Sequence, residues 1–414
     1  MYSQSTPTKG NARPLSNEAA TPFTVTRQQI ATLVEEYPSI IPVKADLPLR
    51  PKSTGSDALA AVDDSVKRME LAQTATNAAD VYALIFKQLN QGSCKEIIDR
   101  IKTLLGKKKY SELSPAEKEQ LKFALNTSDI REVLALLEVG ASKDQCQFIQ
   151  DYSKGFDIPL THLGPMRDLV RLAIWASGDA FDAGDQQQAG NWIATGMKVA
   201  RQAGSDDFLI CRLVQIAGDK MILDHLGGLA KGAQFPEDQA YAVLGEIAKR
   251  NYGADLTSAL RKETEIVASI SARVEAGETA EAVFGNLLDT EDPLRQQLKD
   301  AEYIRRNLAK YREITDRMAE LSGGPYTKEV QTLADQLVMD TEALPDAEFG
   351  LVRNIAPAYA LLLKKSGNAT AEMDASFAAA TMAVYRAKYG RNPASFEDFR
   401  EVFRRVSTMA NRGN

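Results

Sequence analysis

Histidine is nearly missing from this chain, with only His162 and His225 in 414 residues. Neither has a carboxylate or a second histidine three or four residues away. That excludes HExxH zinc sites and the Glu-x-x-His arrangement of di-iron bundles, which need ligands on one helix face. Cysteine is scarce too. Cys94, Cys146 and Cys211 form no CxxC pair, and an odd count cannot close a fully paired disulfide framework. Buried, reduced thiols are the expectation. There is no GxSxG elbow and no Gly-x-x-x-x-Gly-Lys-Ser/Thr loop. No apolar run approaches the ~20 residues of a membrane-spanning helix, and no signal peptide opens the chain. Excess positive charge is also lacking: the formal net charge is −6. An acidic chain lacks the overall basic balance that neutralises phosphates, so no nucleic-acid partner is expected.

Proline is absent from most of the chain but not evenly. Seven of the 16 prolines (Pro7, Pro14, Pro22, Pro38, Pro42, Pro48 and Pro51) fall within the first 51 residues. Proline blocks helix interiors, so this asymmetry separates a non-helical arm, residues 1–55, from a helical body. The arm is rich in Ser, Thr, Pro, Asn and Gln and is expected to be flexible, with one short helix at 27–36. Pro48-Leu-Arg-Pro51 matches PxxP, which a plain linker also explains.

From Ser56 onward apolar residues recur every three to four positions, with no alternating stretch. The pattern predicts an all-α fold: an irregular, α-solenoid-like array of antiparallel helical hairpins. Helices are expected at 56–74, 77–90, 94–106, 114–124 and 128–139, which make an N-terminal helical region, 56–160. Ser114-Pro-Ala-Glu117 spells a capping box with proline at the first helical position. Lys107, Lys108 and Lys109 follow a helix end, where cations complement the dipole. Residues 161–252 are expected to hold tetratricopeptide-like hairpins. Phe181-x-x-Gly184-Asp185-x-x-x-Ala189-x-x-x-Ile193-x-x-Gly196 closes a turn on glycine and lets two helices approach through small residues. The pattern does not recur at a steady period, so one repeat-like hairpin is expected and not a tandem repeat. Ser205-Asp206-Asp207 reads as the cap of the next helix, with His225 in its last turn.

Residues 253–322 read as a long, coiled-coil-like helical hairpin, with helices at 253–276 and 292–321. Leu294, Leu298, Ala301, Ile304, Leu308, Tyr311, Ile314, Met318 and Leu321 follow each other at steps of three and four. The alternative is a dimer seam, and homo-oligomers stay open. Gly323-Gly324-Pro325 then starts a C-terminal region, 323–414, with helices at 326–341, 349–366, 369–389 and 395–410. Trp175 and Trp192 sit on apolar helix faces as core residues.

Three stretches carry a resemblance to a family: Leu169–Leu226 with Ala183-Gly184-Asp185 and Phe208-Leu-Ile-x-Arg-Leu-Val214, then Arg261-Lys-Glu263, and Tyr385-Arg-Ala-Lys-Tyr-Gly390-Arg-Asn-Pro393-Ala-Ser395-Phe. Together they resemble a group of uncharacterised helical proteins of planctomycete-type bacteria. The last stretch is similar to that group's Tyr-Arg-x-x-x-Gly-x-x-Pro-x-Ser-Leu phrase, and pseudopilin-like secretion proteins use a similar one. The resemblance implies a helical fold and a membrane anchor upstream of residue 1, for which the arm would be the tether. It implies no activity.

No catalytic, cofactor-binding or metal-binding residue is assigned. Asp63-Asp64, Glu35-Glu36 and Asp206-Asp207 are adjacent, so on a helix they do not face one another. The functional expectation is a non-enzymatic helical scaffold or adaptor with a protein partner, without a cofactor. An envelope-tethered structural or secretion component is the alternative, and the location follows it: cytoplasmic, or bacterial envelope. An enzyme built from distant carboxylates is the third possibility.

Overall fold

The computed structural model describes residues 65–105, 108–149, 151–152, 158–229, 243, 245–247, 249–279, 294–324, 326–355, 358–391, 393–402 and 404. The Pro-rich arm, with its PxxP match and its acidic pair at 35–36, and the 63–64 pair lie outside them. Among the described residues the fold is all-α: fourteen α-helices, one 3-10 turn and no strand. Only an isolated parallel bridge joins Asn77 to Gln145. No described helix is long and apolar enough to cross a membrane.

The helices are α1 (Ser65–Thr74), α2 (Ala78–Leu89), α3 (Gly92–Leu105), α4 (Pro115–Leu125), α5 (Ser128–Ala141), α6 (Leu163–Asp182), α7 (Gln186–Ala203) and α8 (Leu209–Leu229). They continue with α9 (Tyr252–Glu275), α10 (Leu294–Gln297), α11 (Ala301–Ser322), α12 (Lys328–Glu342), α13 (Asp346–Ile355) and α14 (Ala358–Tyr389). Local chemistry sets several of their ends. Ser114 and Glu117 form the reciprocal capping box that starts α4. Gly184, at φ +81°, turns the chain between α6 and α7, and Asp185 caps α7 by accepting from the Gln188 amide at 2.9 Å. Thr327 caps α12 in the same way.

Apolar side chains collect in two cores. The first joins α1–α8, Tyr252 and the far end of α14, with Tyr82, Leu136, Met166, Leu169 and Phe399 fully buried. The second joins α9, α11, α12, α13 and the near end of α14 to the start of α8. It contains Leu256, Val267, Ile270, Leu308, Ile314 and Met318. Thr257 meets Ser322 at 2.8 Å and Thr264 meets Asp316 at 3.3 Å, so α9 and α11 run in opposite directions. Ile304, Leu308, Tyr311, Ile314 and Met318 are buried at the predicted steps of three and four, while Ala301 is exposed.

Two expected helix boundaries differ. The helix expected over 292–321 is broken at 298–300, because the Asp300 carboxylate accepts from the Glu302 amide and starts α11 as an N-cap. The break expected between 366 and 369 is absent: α14 runs through it. Gly367 serves packing there, since a Cβ would lie 2.1 Å from the Tyr326 ring. Most charge pairs of α11 are three residues apart, while Arg312 and Asp316 are four apart at 3.8 Å. Glu302 pairs with Arg305, Lys310 with Glu313 and Arg317 with Glu320, each three apart. Arg306 reaches instead toward Glu348 of α13 at 3.6 Å.

The phrase from Tyr385 to Ser395 folds as a corner. Tyr385 is buried, Arg391 stacks over its ring at 5.6 Å, and Gly390 takes φ +65°. Ser395 accepts from the Asp398 amide at 3.1 Å, as expected of a capping box. The Asp398 carboxylate reaches back to the Ala394 amide at 3.0 Å, one residue beyond the Ser395 amide that a capping box uses.

Candidate functional site

A cleft of about 470 Å³ opens where the 3-10 turn Tyr110–Glu112 and α4 meet α6 and α8. Its floor is apolar: Ile174, Trp175 and Phe181 from α6, with Met221 and Leu229 from α8. These positions follow from helical period, since 174, 175, 181 and 221, 225, 229 each face one way. The cleft exists because Tyr110 wedges against α6. At Gly178 a Cβ would sit 2.5 Å from the Tyr110 ring, so only glycine admits the ring that forms the cleft wall. The Tyr110 hydroxyl donates to Asp182 at 2.8 Å, which fixes the wall in place. Burial, with the Asp182 carboxylate beside it, pushes the Tyr110 hydroxyl pKa well above the ordinary value.

Four cations line the rim, Lys108, Lys109, Lys118 and Arg171, against two carboxylates, Asp182 and Asp224. Lys118 bonds Asp182 at 2.8 Å and lies 4.8 Å above the Tyr110 ring. Lys109 bonds Asp224 at 3.1 Å. Lys108 and Arg171 reach Glu117 and Asp168, outside the lining, at 2.5 and 3.1 Å. Asp168 is shared with Lys102 at 2.7 Å. The expected use of these lysines was to complement a helix dipole. Lys107 lies outside the described residues, and tertiary structure pairs Lys108 with α4 and Lys109 with α8.

His225 lies at the base of the cleft. It sits near the C-terminal end of α8, and burial lowers its pKa to about 4, so the ring is neutral at pH 7. Its Nε2 lies 3.2 Å from Ser177 Oγ, and Ser177 donates its one proton to the Ala189 carbonyl at 3.0 Å. Nε2 is therefore the donor to Ser177, and Nδ1 is left as a bare acceptor. The Tyr110 ring meets the imidazole edge-on at 5.9 Å.

The other histidine is elsewhere. His162 is buried, stacks on Phe148 at 4.2 Å, and has its pKa lowered by burial to about 4. Its Nε2 lies 3.7 Å from Asp206 and makes no hydrogen bond. Asp206 is the surprise at this corner. The expected helix cap is fully inward, its carboxylate accepting from the Phe148 and Ile149 amides, each at 3.2 Å. It ties the segment before α6 to the start of α8. Asp207 takes φ +53° and pairs with Arg212. Trp175 and Trp192 both pack in the first core, as expected, and Trp175 also lines the cleft.

The remaining buried ionisable groups hold helices together. Asp219 accepts from both Arg250 Nε and Nη2, at 2.8 and 2.7 Å, and from Tyr252 at 2.7 Å. Glu263 accepts from Tyr311 at 2.8 Å and from the Leu209 amide at 3.4 Å. Burial raises its pKa to about 7. All three cysteines are buried and outside any disulfide, and burial raises the Cys94 and Cys211 thiols to about 11 and 12. Such thiols stay protonated and poorly nucleophilic. No cluster of three metal-ligating side chains occurs among the described residues.

Sequence spacing had no access to the cleft. Tyr110 and Asp182 are 72 residues apart, and Lys109 and Asp224 are 115 apart. The one readable signal was Gly178, a helix-interior glycine on the α6 face that carries Ile174 and Phe181. Comparison with protein-family models, curated proteins and solved structures found no match.

Proposed function

We propose that this chain is a non-enzymatic helical scaffold or adaptor that takes a protein partner in the cleft between α6, α8 and the 110–118 segment. One observation carries the reading: the cleft has an apolar floor beneath a ring of charged side chains. Protein interfaces are built in this way, with an apolar centre that excludes water and a polar rim. The buried histidines, thiols and carboxyls described above are engaged in packing and helix–helix bonds, which fits a scaffold.

In this reading the helices form an irregular, solenoid-like array of antiparallel pairs, with the tetratricopeptide-like pair α6–α7 beside the cleft. The α9–α11 pair is a long, coiled-coil-like hairpin that stiffens the far side.

A photo-crosslinking side chain at Ser111, exposed on the cleft rim, tests the proposal against one at Thr332 on α12. A discrete adduct formed from Ser111 and not from Thr332, lost when Phe181→Asp makes the floor polar, is the expected result. No adduct at Ser111, or the same adducts from both positions, would overturn it.

A further inference from the structure

The partner's chemistry can be narrowed from the cleft's own groups. This step rests on the reading that the cleft takes a protein segment. Its floor is aromatic and aliphatic, and its volume of about 470 Å³ suits one large side chain with its neighbouring peptide bonds. Within that apolar space His225 offers a single acceptor. Nε2 is committed to Ser177, and Nδ1 has no hydrogen bond among the described residues. A phenylalanine would fill the space and leave Nδ1 without a donor. A tryptophan supplies both a large apolar body and an indole N–H that only donates.

The rim adds a sign. Counting the outside partners Glu117 and Asp168, and the further cations Lys102 and Lys220 that share Asp168 and Asp224, six cations stand against four carboxylates, although the chain as a whole carries net charge −6. The carboxylates that the rim cations use are shared: Asp182 also accepts from Tyr110, and Asp168 from Lys102. Lys109 is more than half exposed, and Lys108 nearly so. Exposed pairs of this kind are weak and exchange partners readily. Incoming carboxylates therefore gain cations at little cost, while incoming lysines meet repulsion.

We infer that the cleft recognises an acidic peptide segment centred on a tryptophan, whose indole packs on Trp175 and Phe181 and donates to His225 Nδ1 while its flanking carboxylates engage Lys108, Lys109, Lys118 and Arg171.

The test uses the full chain and a fluorescein-labelled peptide, Asp-Glu-Trp-Glu-Asp with blocked ends, followed by fluorescence anisotropy. The peptide binds, and more weakly as salt rises. Replacing its tryptophan with phenylalanine weakens binding about tenfold, the scale of one hydrogen bond lost in an apolar site. In the protein, Lys109→Ala and Arg171→Ala each weaken it roughly threefold, and Lys109→Glu weakens it further. His225→Phe removes the preference for tryptophan over phenylalanine, a coupling that general loss of structure would not produce. Circular dichroism verifies that each variant is folded, and Lys109→Glu, on the surface, serves if His225→Phe is not.

A Lys-Lys-Trp-Lys-Lys peptide that binds equally well overturns the inference, as does an unchanged affinity in Lys109→Glu. Cleft substitutions that change only the oligomeric state, by light scattering, assign the cleft to a second copy of this chain and overturn it as well. A Ser111 adduct without binding of the acidic peptide sinks this inference alone. Loss of both sinks the scaffold reading with it.

Discussion

The two cores of the molecule each bury a carboxyl group, and they treat it oppositely. In the first, Asp219 meets the Arg250 guanidinium edge-on with two hydrogen bonds and takes a third from Tyr252. In the second, the buried Glu263 carboxyl accepts from the Tyr311 hydroxyl and the Leu209 amide. Burial disfavours charge in both places. Around Arg250 desolvation works against the cation, but the Asp219 carboxylate outweighs it and raises the guanidinium pKa further. Around Glu263 desolvation dominates, and its pKa rises to about 7. One core therefore depends on an ion pair, and the other is more comfortable with its acid protonated.

The contrast can be broken most forcefully at the ion pair. Asp219→Ala leaves Arg250 charged and enclosed, so stability in urea unfolding should drop by about 3–5 kcal/mol. Tyr252→Phe, which keeps the pair and removes one donor, should cost only about 1 kcal/mol. Equal losses from the two would mean that the phenol, and not the guanidinium, holds Asp219.

At Glu263 the expected sign is reversed. Its folded pKa, about 7, lies above the unfolded value near 4.5, so the folded chain binds the extra proton. Its contribution is most favourable below pH 4.5 and is lost as pH rises through 7. Glu263→Gln should thus be more stable than the parent at pH 8, by roughly 2–3 kcal/mol, and should match it near pH 5. A parent chain whose stability does not fall between pH 5 and 8 relative to Glu263→Gln would show that Glu263 is ionised in the fold.

The histidines sharpen the comparison from the acid side. Burial lowers both folded pKa values to about 4, while the unfolded chain takes up protons near 6.5. The unfolded state gains protons that the fold refuses, so stability declines as pH falls from 6.5 to 4. His162→Phe, which keeps the stack on Phe148, should flatten that decline by roughly 1–3 kcal/mol in thermal melts at pH 5 against pH 7. An effect of similar size belongs to the cleft wall. Gly178→Ala should displace the Tyr110 ring and cost about 1–3 kcal/mol while abolishing binding at the cleft. Stability lost without any change at the cleft would mean that Tyr110 does not form its wall.

The helices were readable because their causes are local. Ser114 and Glu117 are three residues apart, and Gly184-Asp185 combines a turn glycine with a helix cap. Apolar period located the buried face of α11. Where the reading failed, a distant residue had the deciding vote. Gly367 looked like a break and is a packing site for Tyr326, and Asp206 looked like a cap and is an anchor for residues 148–149. Asp300, a local cap, was legible and was masked by the regular apolar spacing on both sides of it. Of the cleft, the sequence showed the apolar character of Trp175 and, in Gly178, a glycine inside a helix whose role in the wall depends on the distant Tyr110.

By itself, the sequence determined an all-α body, because side-chain period, caps and turns act within a few residues of one another. Only the tertiary structure decided which charges pair, which histidine faces the cleft, and which carboxyl keeps a proton. Those outcomes depend on solvent exclusion and on partners 31 to 115 residues away, and no local pattern encodes either.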